Sequence, residues 1–402
     1  MDLKTTDDAV MRRIQAFGER VSTLQANDLY FYNQAVQEIL PGMKVRVHGR
    51  EMGMYASYSY LGLVNHPRIN AAAKAAIDKF GTGTHGVRTL AGTLTIHAEL
   101  EETIAHFKHA EAAITYSSGY ATNLSVVSTL IGRGDYVFSD KLNHASIVDG
   151  CLMSGAEFRR FKHNDLAHLE TLLKNAPADA AKLVIADAVF SMDGDIIDLP
   201  KMVELCKEYH AWLMIDEAHS VGVLGKTGRG IEEHFGLGDV IDIKMGTLSK
   251  TIPSVGGYVA AKKEIITYLR HASRAYIFSA ALPPAQAAAA NEAFKVILDE
   301  PWRIERLNEN TRLFISGLKS MGFDTMLTET AIVPILCGED EKAFAMTREA
   351  QRNDVFVLPV VSPAVPEGLA RLRATVTAGH EASEIERAME VIGKAGKKLG
   401  II

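Results

Sequence analysis

From about residue 95 the chain alternates short apolar runs with helix-like segments, and this alternation limits its fold more than any other feature. The runs are Ala112–Tyr116, Tyr136–Phe138, Leu183–Ala186, Trp212–Ile215 and Ile241–Met245. Between them lie segments of helical spacing such as Asp165–Leu173 and Pro200–Tyr209, the latter with proline at a helix start. Uninterrupted apolar strands suit a sheet buried on both faces, so the expected fold class is α/β, with a mainly parallel sheet between helices. Ligands of such sheets gather at the carboxyl ends of the strands, which is where polar residues deserve inspection.

The flanks read differently. Residues 8–40 carry Met11, Ile14, Phe17, Val21 and Leu24 at helical spacing and end at Pro41-Gly42, which predicts a helical arm. Short strands follow around Val45–Val47 and Met52–Tyr55. After Pro283-Pro284 a long helical stretch, Ala285 to about Leu318, precedes strands near Ile332–Leu336 and Leu372–Val376 and a last helix over Ala382–Ala395. The expected division is an arm with short strands at 1–54, a large domain at 55–287 and a smaller C-terminal α+β domain at 288–402.

A chain of 402 residues that is 47% hydrophobic has ample material for such a core. Its net charge of −6 argues against nucleic acid as a partner. Cys151, Cys206 and Cys337 are widely spaced and form no CxxC pair, which suits a reducing compartment and buried thiols. The first twenty residues are charged, and no run approaches the length of a membrane span. The expected location is the cytoplasm. His106, His109, His163 and His168 lack ligand-like spacing, so no metal is expected.

Four strand ends carry chemistry. Asp216 directly follows Trp212–Ile215, where a carboxylate is costly unless a positive group meets it. It is either the cap of the next helix or the partner of a pyridinium nitrogen, which it would keep protonated as an electron sink. Lys250 closes Gly246-Thr-Leu-Ser-Lys250, and the order of a nucleotide phosphate loop is absent there. The lysine is either solvated or a desolvated, nucleophilic amine, with Thr247 and Ser249 placed to bond a phosphate. Ser118-Gly119-Tyr120 is a plain strand–helix turn or a phosphate cradle at a helix start. His144 caps a helix or stacks on a planar ring. Taken together and in this order, the four are hard to explain without pyridoxal 5′-phosphate (PLP).

The chain resembles the α-oxoamine synthases among the fold-type I PLP enzymes. The resemblance runs from about Tyr55 to the C-terminus. Its motifs are Tyr60-Leu-Gly62; Gly83-Thr-His-Gly-Val-Arg88 with His97 and Glu101; Asn143-His144-Ala-Ser146; Val189-Phe-Ser191 through Asp195; Asp216-Glu-Ala-His219; Gly246 to Lys250; Phe278-Ser279; and Ala370-Arg-Leu-Arg373 with His380. The resemblance implies that Lys250 holds the cofactor and later exchanges the substrate Cα proton, that Asp216 meets the pyridinium and that His144 stacks on the ring. It further implies Ser191 and His219 at the phenolic oxygen, and Ser118, Gly119, Tyr120, Thr247 and Ser249 at the phosphate. Ser279 would reach a phosphate in a neighbouring subunit of a homodimer with shared sites. Arg373 would hold the substrate carboxylate, a task suited to a guanidinium.

The implied reaction is a decarboxylating condensation of a small amino acid (serine, alanine or glycine) with an acyl thioester of coenzyme A or a carrier protein. The products are an α-amino ketone, CO2 and a free thiol. Tyr58 ahead of Ser59 resembles the serine palmitoyltransferases more than the glycine- and alanine-using members, so Tyr58 is expected to line the substrate site. Gly83-Thr-His-Gly86 is reminiscent of secondary-metabolism synthases. A 2-amino-3-ketobutyrate ligase, an aldolase or an aminotransferase would use the same Lys–Asp pair. Arg88 and His97 are expected to frame the site rather than act in it.

Overall fold

The computed structural model describes residues 8–402; the part of the N-terminal arm at residues 1–7 lies outside them. The arm is shorter than its spacing predicted. Its helix covers Ala9–Ala26, and strand β1 (Val36–Leu40) follows, pairing with β2 (Lys44–Val47), which pairs in turn with β3 (Arg50–Met54). Asn33 and Asp28 adopt left-handed backbone between helix and strand, which ends helical continuity well before Pro41.

The central sheet has seven strands: β4 (Ala112–Tyr116), β5 (Tyr136–Asp140), β6 (Glu157–Phe161), β7 (Lys182–Asp187), β8 (Trp212–Asp216), β9 (Ile243–Ser249) and β10 (Pro253–Ala261). Their spatial order is β4-β10-β9-β8-β7-β5-β6. The strands from β9 through β6 run parallel, whereas β10 is antiparallel to both β9 and β4. All six residues of β7 are buried, as expected for a strand covered on both faces. β10 contains the pair Gly256-Gly257. Gly257 is there because a helix crosses the sheet at close range: a Cβ on it would lie 2.7 Å from the Cα of Gly119 and 2.4 Å from Thr122 Oγ1.

Beyond the sheet, the predicted long helix is two, Pro284–Asp299 and Trp302–Ser320, divided at Glu300-Pro301. Proline cannot continue a helix without losing a backbone bond. The first of the two packs on helices Pro67–Phe80 and Thr95–Phe107, so the expected boundary at 287/288 falls inside a helix that belongs to the large sheet's covering layer. The C-terminal part contains β11 (Ile332–Gly338), β12 (Val355–Phe356), β13 (Leu358–Val360) and β14 (Ala370–Thr375), with helices Asp340–Arg352 and Ala382–Lys398. β11, β14 and β13 form an antiparallel sheet, while β12 pairs in parallel with β3. The N-terminal strands and the C-terminal segment therefore share one sheet.

Candidate active site

The carboxyl ends of β7, β8 and β9 open onto a cavity of about 270 Å³. Its walls include Ser118, Gly119, Tyr120, His144, Ser191, Asp216, His219, Thr247, Ser249 and Lys250. Residues spread over more than 130 positions of sequence meet there because parallel strands deliver their ends to one edge. Ser279, half-buried after helix Arg274–Ile277, does not line this cavity. Tyr58 and Arg373 are not among its walls either; Tyr58 lines an adjoining cavity, with the Arg373 guanidinium carbon 4.7 Å from its ring centroid and Lys250 Nζ 5.9 Å from it.

At one end, Ser118 caps helix Gly119–Leu130 by accepting from the Ala121 amide at 3.0 Å. Thr247 Oγ1 lies 2.9 Å from Ser249 Oγ and donates to the Gly256 carbonyl at 3.1 Å. A side chain at Gly119 would be crowded, since its Cβ would stand 3.0 Å from Thr247 Oγ1. Helix start and hydroxyls thus converge on one spot, which suits an anion.

Asp216 accepts from the Ala218 amide at 2.9 Å and from Asn123 Nδ2 at 2.7 Å. No helix starts before Ile231, so the helix-cap reading does not hold: the carboxylate braces the turn that follows β8 and forms part of the cavity wall. Lys250 faces it, its amine shifted below the usual lysine range by burial, against the opposing pull of Asp216 and Asp187. Asp187, at the end of β7, also lines the cavity and accepts from the His144 amide at 3.0 Å. Burial, then the nearby Asp216, pushes its carboxyl well above the carboxylate range.

Two histidines complete the walls. His144 caps helix Ala145–Ser154 and also lines the cavity. His219 is buried, and desolvation followed by the charges of Lys250 and Arg373 drives it well below the normal histidine range. Its Nδ1 lies 2.6 Å from the Tyr60 hydroxyl. Burial raises the Tyr60 phenol to about 12 despite Arg373, so Tyr60 keeps its proton. Arg373 donates through Nε to the Ser191 carbonyl at 2.6 Å and through Nη1 to Thr375 at 3.1 Å.

Asp187, Asn123 and Tyr60 were not singled out as site residues from the sequence. Asp187 carried the same signal as Asp216, an acid closing an apolar run; Asn123, inside a helix, carried none. Arg88 and His97 are not among the walls of the cavity. Arg88 pairs with buried Glu101 at 2.9 Å, and His97 bonds the Leu282 carbonyl at 2.8 Å.

The donor set fits PLP on observations of this structure. A buried carboxylate and a lysine face each other in one cavity, and a helix start with hydroxyls offers an anion cradle beside them. A cavity of about 440 Å³ adjoins it through Ser249 and Lys250, and one of about 270 Å³ through Ser191. Among the described residues no group of His, Cys, Asp and Glu side chains is arranged to hold a metal ion. None of their helices is long and apolar enough to cross a membrane.

Comparison with known proteins agrees with this geometry. The family model "aminotransferase class I and II" matches residues 54–392. An 8-amino-7-oxononanoate synthase of Thermoanaerobacter pseudethanolicus is 45% identical over 91% of this chain and 93% of its own. Another from Citrifermentans bemidjiense is 44% identical over 97% of this chain and 100% of its own. Among solved structures, Sphingomonas wittichii serine palmitoyltransferase superposes with a TM-score of 0.95 at 34% identity, covering 98% of this chain and 100% of that one. The chain belongs to the aminotransferase class I and II family, in its α-oxoamine synthase branch, and has the fold-type I architecture of that branch.

Proposed function

We propose that this protein is a PLP-dependent acyltransferase that condenses a small amino acid with an acyl thioester, releasing CO2 and a free thiol. The observation that carries the reading is the desolvated Lys250 amine opposite the buried carboxylate of Asp216, in one cavity with an anion cradle. Relatives named as 8-amino-7-oxononanoate synthase and serine palmitoyltransferase, at 45% and 34% identity, support it.

Bound in this cavity, PLP supplies an aldehyde for amines and a protonated ring that takes up the electron pair left at Cα. Lys250 would hold the aldehyde, and Asp216 the ring nitrogen. Ser118, Gly119, Tyr120, Thr247 and Ser249 would hold the phosphate, Ser191 and His219 the phenolic oxygen, and His144 one face of the ring. The lowered pKa of Lys250 keeps a larger fraction of its amine neutral, which suits acceptance of the Cα proton. Arg373, with donors already fixed on Ser191 and Thr375, stands ready to orient the substrate carboxylate near Tyr58. Once the new carbon–carbon bond has formed, the carboxylate leaves as CO2 and a proton returns to Cα.

A homodimer suits the exposed Leu90 and Phe278, which flank the pairing of Val87 with Ala280 beside Ser279. Ser279 would then serve the partner's phosphate site. Cys151, Cys206 and Cys337 are all free and buried, which supports a cytoplasmic setting.

The test is thiol release by PLP-loaded protein across glycine, alanine and serine, against acyl-CoAs of short and long chain and an acyl carrier protein. Release that requires one amino acid is the expected result. Amine transfer or aldehyde formation without any thiol release would overturn the reading in favour of an aminotransferase or aldolase.

A further inference from the structure

A chain of hydrogen bonds behind the cavity has only one consistent direction. The amide of Asn123 donates both hydrogens of Nδ2, one to Asp216 Oδ2 at 2.7 Å and one to Ser146 Oγ at 3.0 Å. Turning the amide over would set its oxygen against the carboxylate, so this orientation is fixed. Ser146 Oγ, which accepts from Asn123, lies 2.7 Å from His144 Nδ1 and can give it its hydroxyl hydrogen. The Ser146 backbone amide points at the same nitrogen from 3.3 Å. Two donors on one ring nitrogen leave it no place for a proton of its own. Among the described residues Nε2 of His144 has no protein partner, and His144 lines the cavity.

We infer that Asn123 and Ser146 are positioning residues that keep His144 Nδ1 unprotonated and its Nε2–H available to the cavity, and that they tie this choice to the Asp216 carboxylate. The inference deepens the proposed function and rests on it for the chemistry, but the hydrogen-bond chain belongs to the protein itself. It makes His144 a hydrogen-bond donor toward whatever lies in the cavity and denies it the role of a base. It also couples two contacts of the cofactor, ring face and ring nitrogen, through one buried asparagine. Burial lowers the His144 pKa in the same sense, and Lys250 adds to this while Asp216 opposes it. Asp187 faces the His144 backbone, His219 stands across the cavity, and Tyr120 meets the ring edge-on at 6.3 Å.

The test uses PLP-loaded protein labelled with ¹⁵N-histidine, with the His144 ring signals assigned by their loss in His144→Asn. Wild-type protein is expected to show a protonated Nε2 and a bare Nδ1 from about pH 6 to about pH 9. Ser146→Ala removes the stronger donor and leaves the backbone one, so the tautomer preference should fall about tenfold. The acid limb of kcat/KM should move upward with it, and Ser146→Thr, which restores a hydroxyl, should return both. Asn123→Ala should shift the tautomer in the same direction. An unchanged His144 spectrum in Ser146→Ala, or a Ser146→Thr spectrum no closer to wild type than Ser146→Ala, would overturn the proposal. The nitrogen shifts report whether or not thiol is released, so failure of this inference and failure of the functional reading are separable.

Discussion

Asp187 and Asp216 are register partners at the carboxyl ends of the adjacent parallel strands β7 and β8, and each is only 4% exposed. Two acids placed side by side in a buried cavity do not share the same charge state readily. The Asp187 carboxyl is pushed up by burial and then by its neighbour, and it accepts from one backbone amide, where Asp216 accepts from an amide and from the Asn123 side chain.

A carboxyl whose folded pKa exceeds its unfolded value stabilises most below the unfolded value, and that contribution is lost as pH rises toward the folded one. Asp187→Asn replaces a neutral acid by a neutral isostere without this loss. Its thermal midpoint relative to wild type, measured on PLP-loaded protein, should therefore increase as pH rises from about 5 to about 8. A relative midpoint that falls over this range would contradict the assignment.

Lys250→Ala should abolish thiol release and the visible absorbance of lysine-held cofactor, since no other cavity residue offers an amine. Appreciable remaining turnover would remove Lys250 from the reaction.

Asp216→Asn keeps shape but gives up the charge offered to a ring nitrogen. A charge-assisted hydrogen bond is worth about 1.5–3 kcal/mol, so kcat should fall by roughly ten- to hundredfold or more. Steady-state kinetics with saturating PLP read this directly, and a kcat within a factor of two of wild type would count against the pairing.

His163 bridges Asp140 at 3.1 Å and Asp195 at 2.9 Å beneath the Phe190 ring, an arrangement hidden from spacing because the three come from three separate segments. Burial alone lowers its pKa, but the hydrogen bonds to Asp140 and Asp195 outweigh it and raise the imidazole to about 10. The resulting stabilisation is complete below the unfolded value near 6.5 and is lost as pH climbs to about 10. The midpoint difference between wild type and His163→Gln should be widest near pH 6.5 and shrink steadily toward pH 10.

Behind Asp216, Lys108 and Glu217 form an ion pair at 2.5 Å, with side chains 2% and 0% exposed. Lys108→Met strands the Glu217 charge in the core and should cost about 3–5 kcal/mol in denaturant unfolding. Replacing both residues by apolar ones should recover much of that loss.

Much of this molecule can be read from its residues, and the failures have physical causes. β4, β7 and β8 coincide with apolar runs because a doubly covered strand needs apolar residues on both faces. β6, Glu157-Phe-Arg-Arg-Phe161, escaped notice because an edge strand exposes one side and fills it with charge. β10 escaped because its glycines answer to a crossing helix, not to a turn. At the site, Asp216, Lys250 and His144 stood at recognisable strand ends. Asn123 and Tyr60 act through partners more than ninety residues away, and such partnerships have no local pattern.

The antiparallel β10 also governs when the sheet can close during synthesis. β4 has no sheet neighbour except β10, and more than 130 residues separate Tyr116 from Pro253. At about 5–20 residues per second a ribosome needs on the order of ten seconds to span that interval. For that time the nascent chain carries Ala112–Tyr116 with both hydrogen-bonding edges open. The sheet's last gap is filled from within the sequence, so the early chain depends on its covering helices, or on a chaperone, to keep that strand from pairing elsewhere.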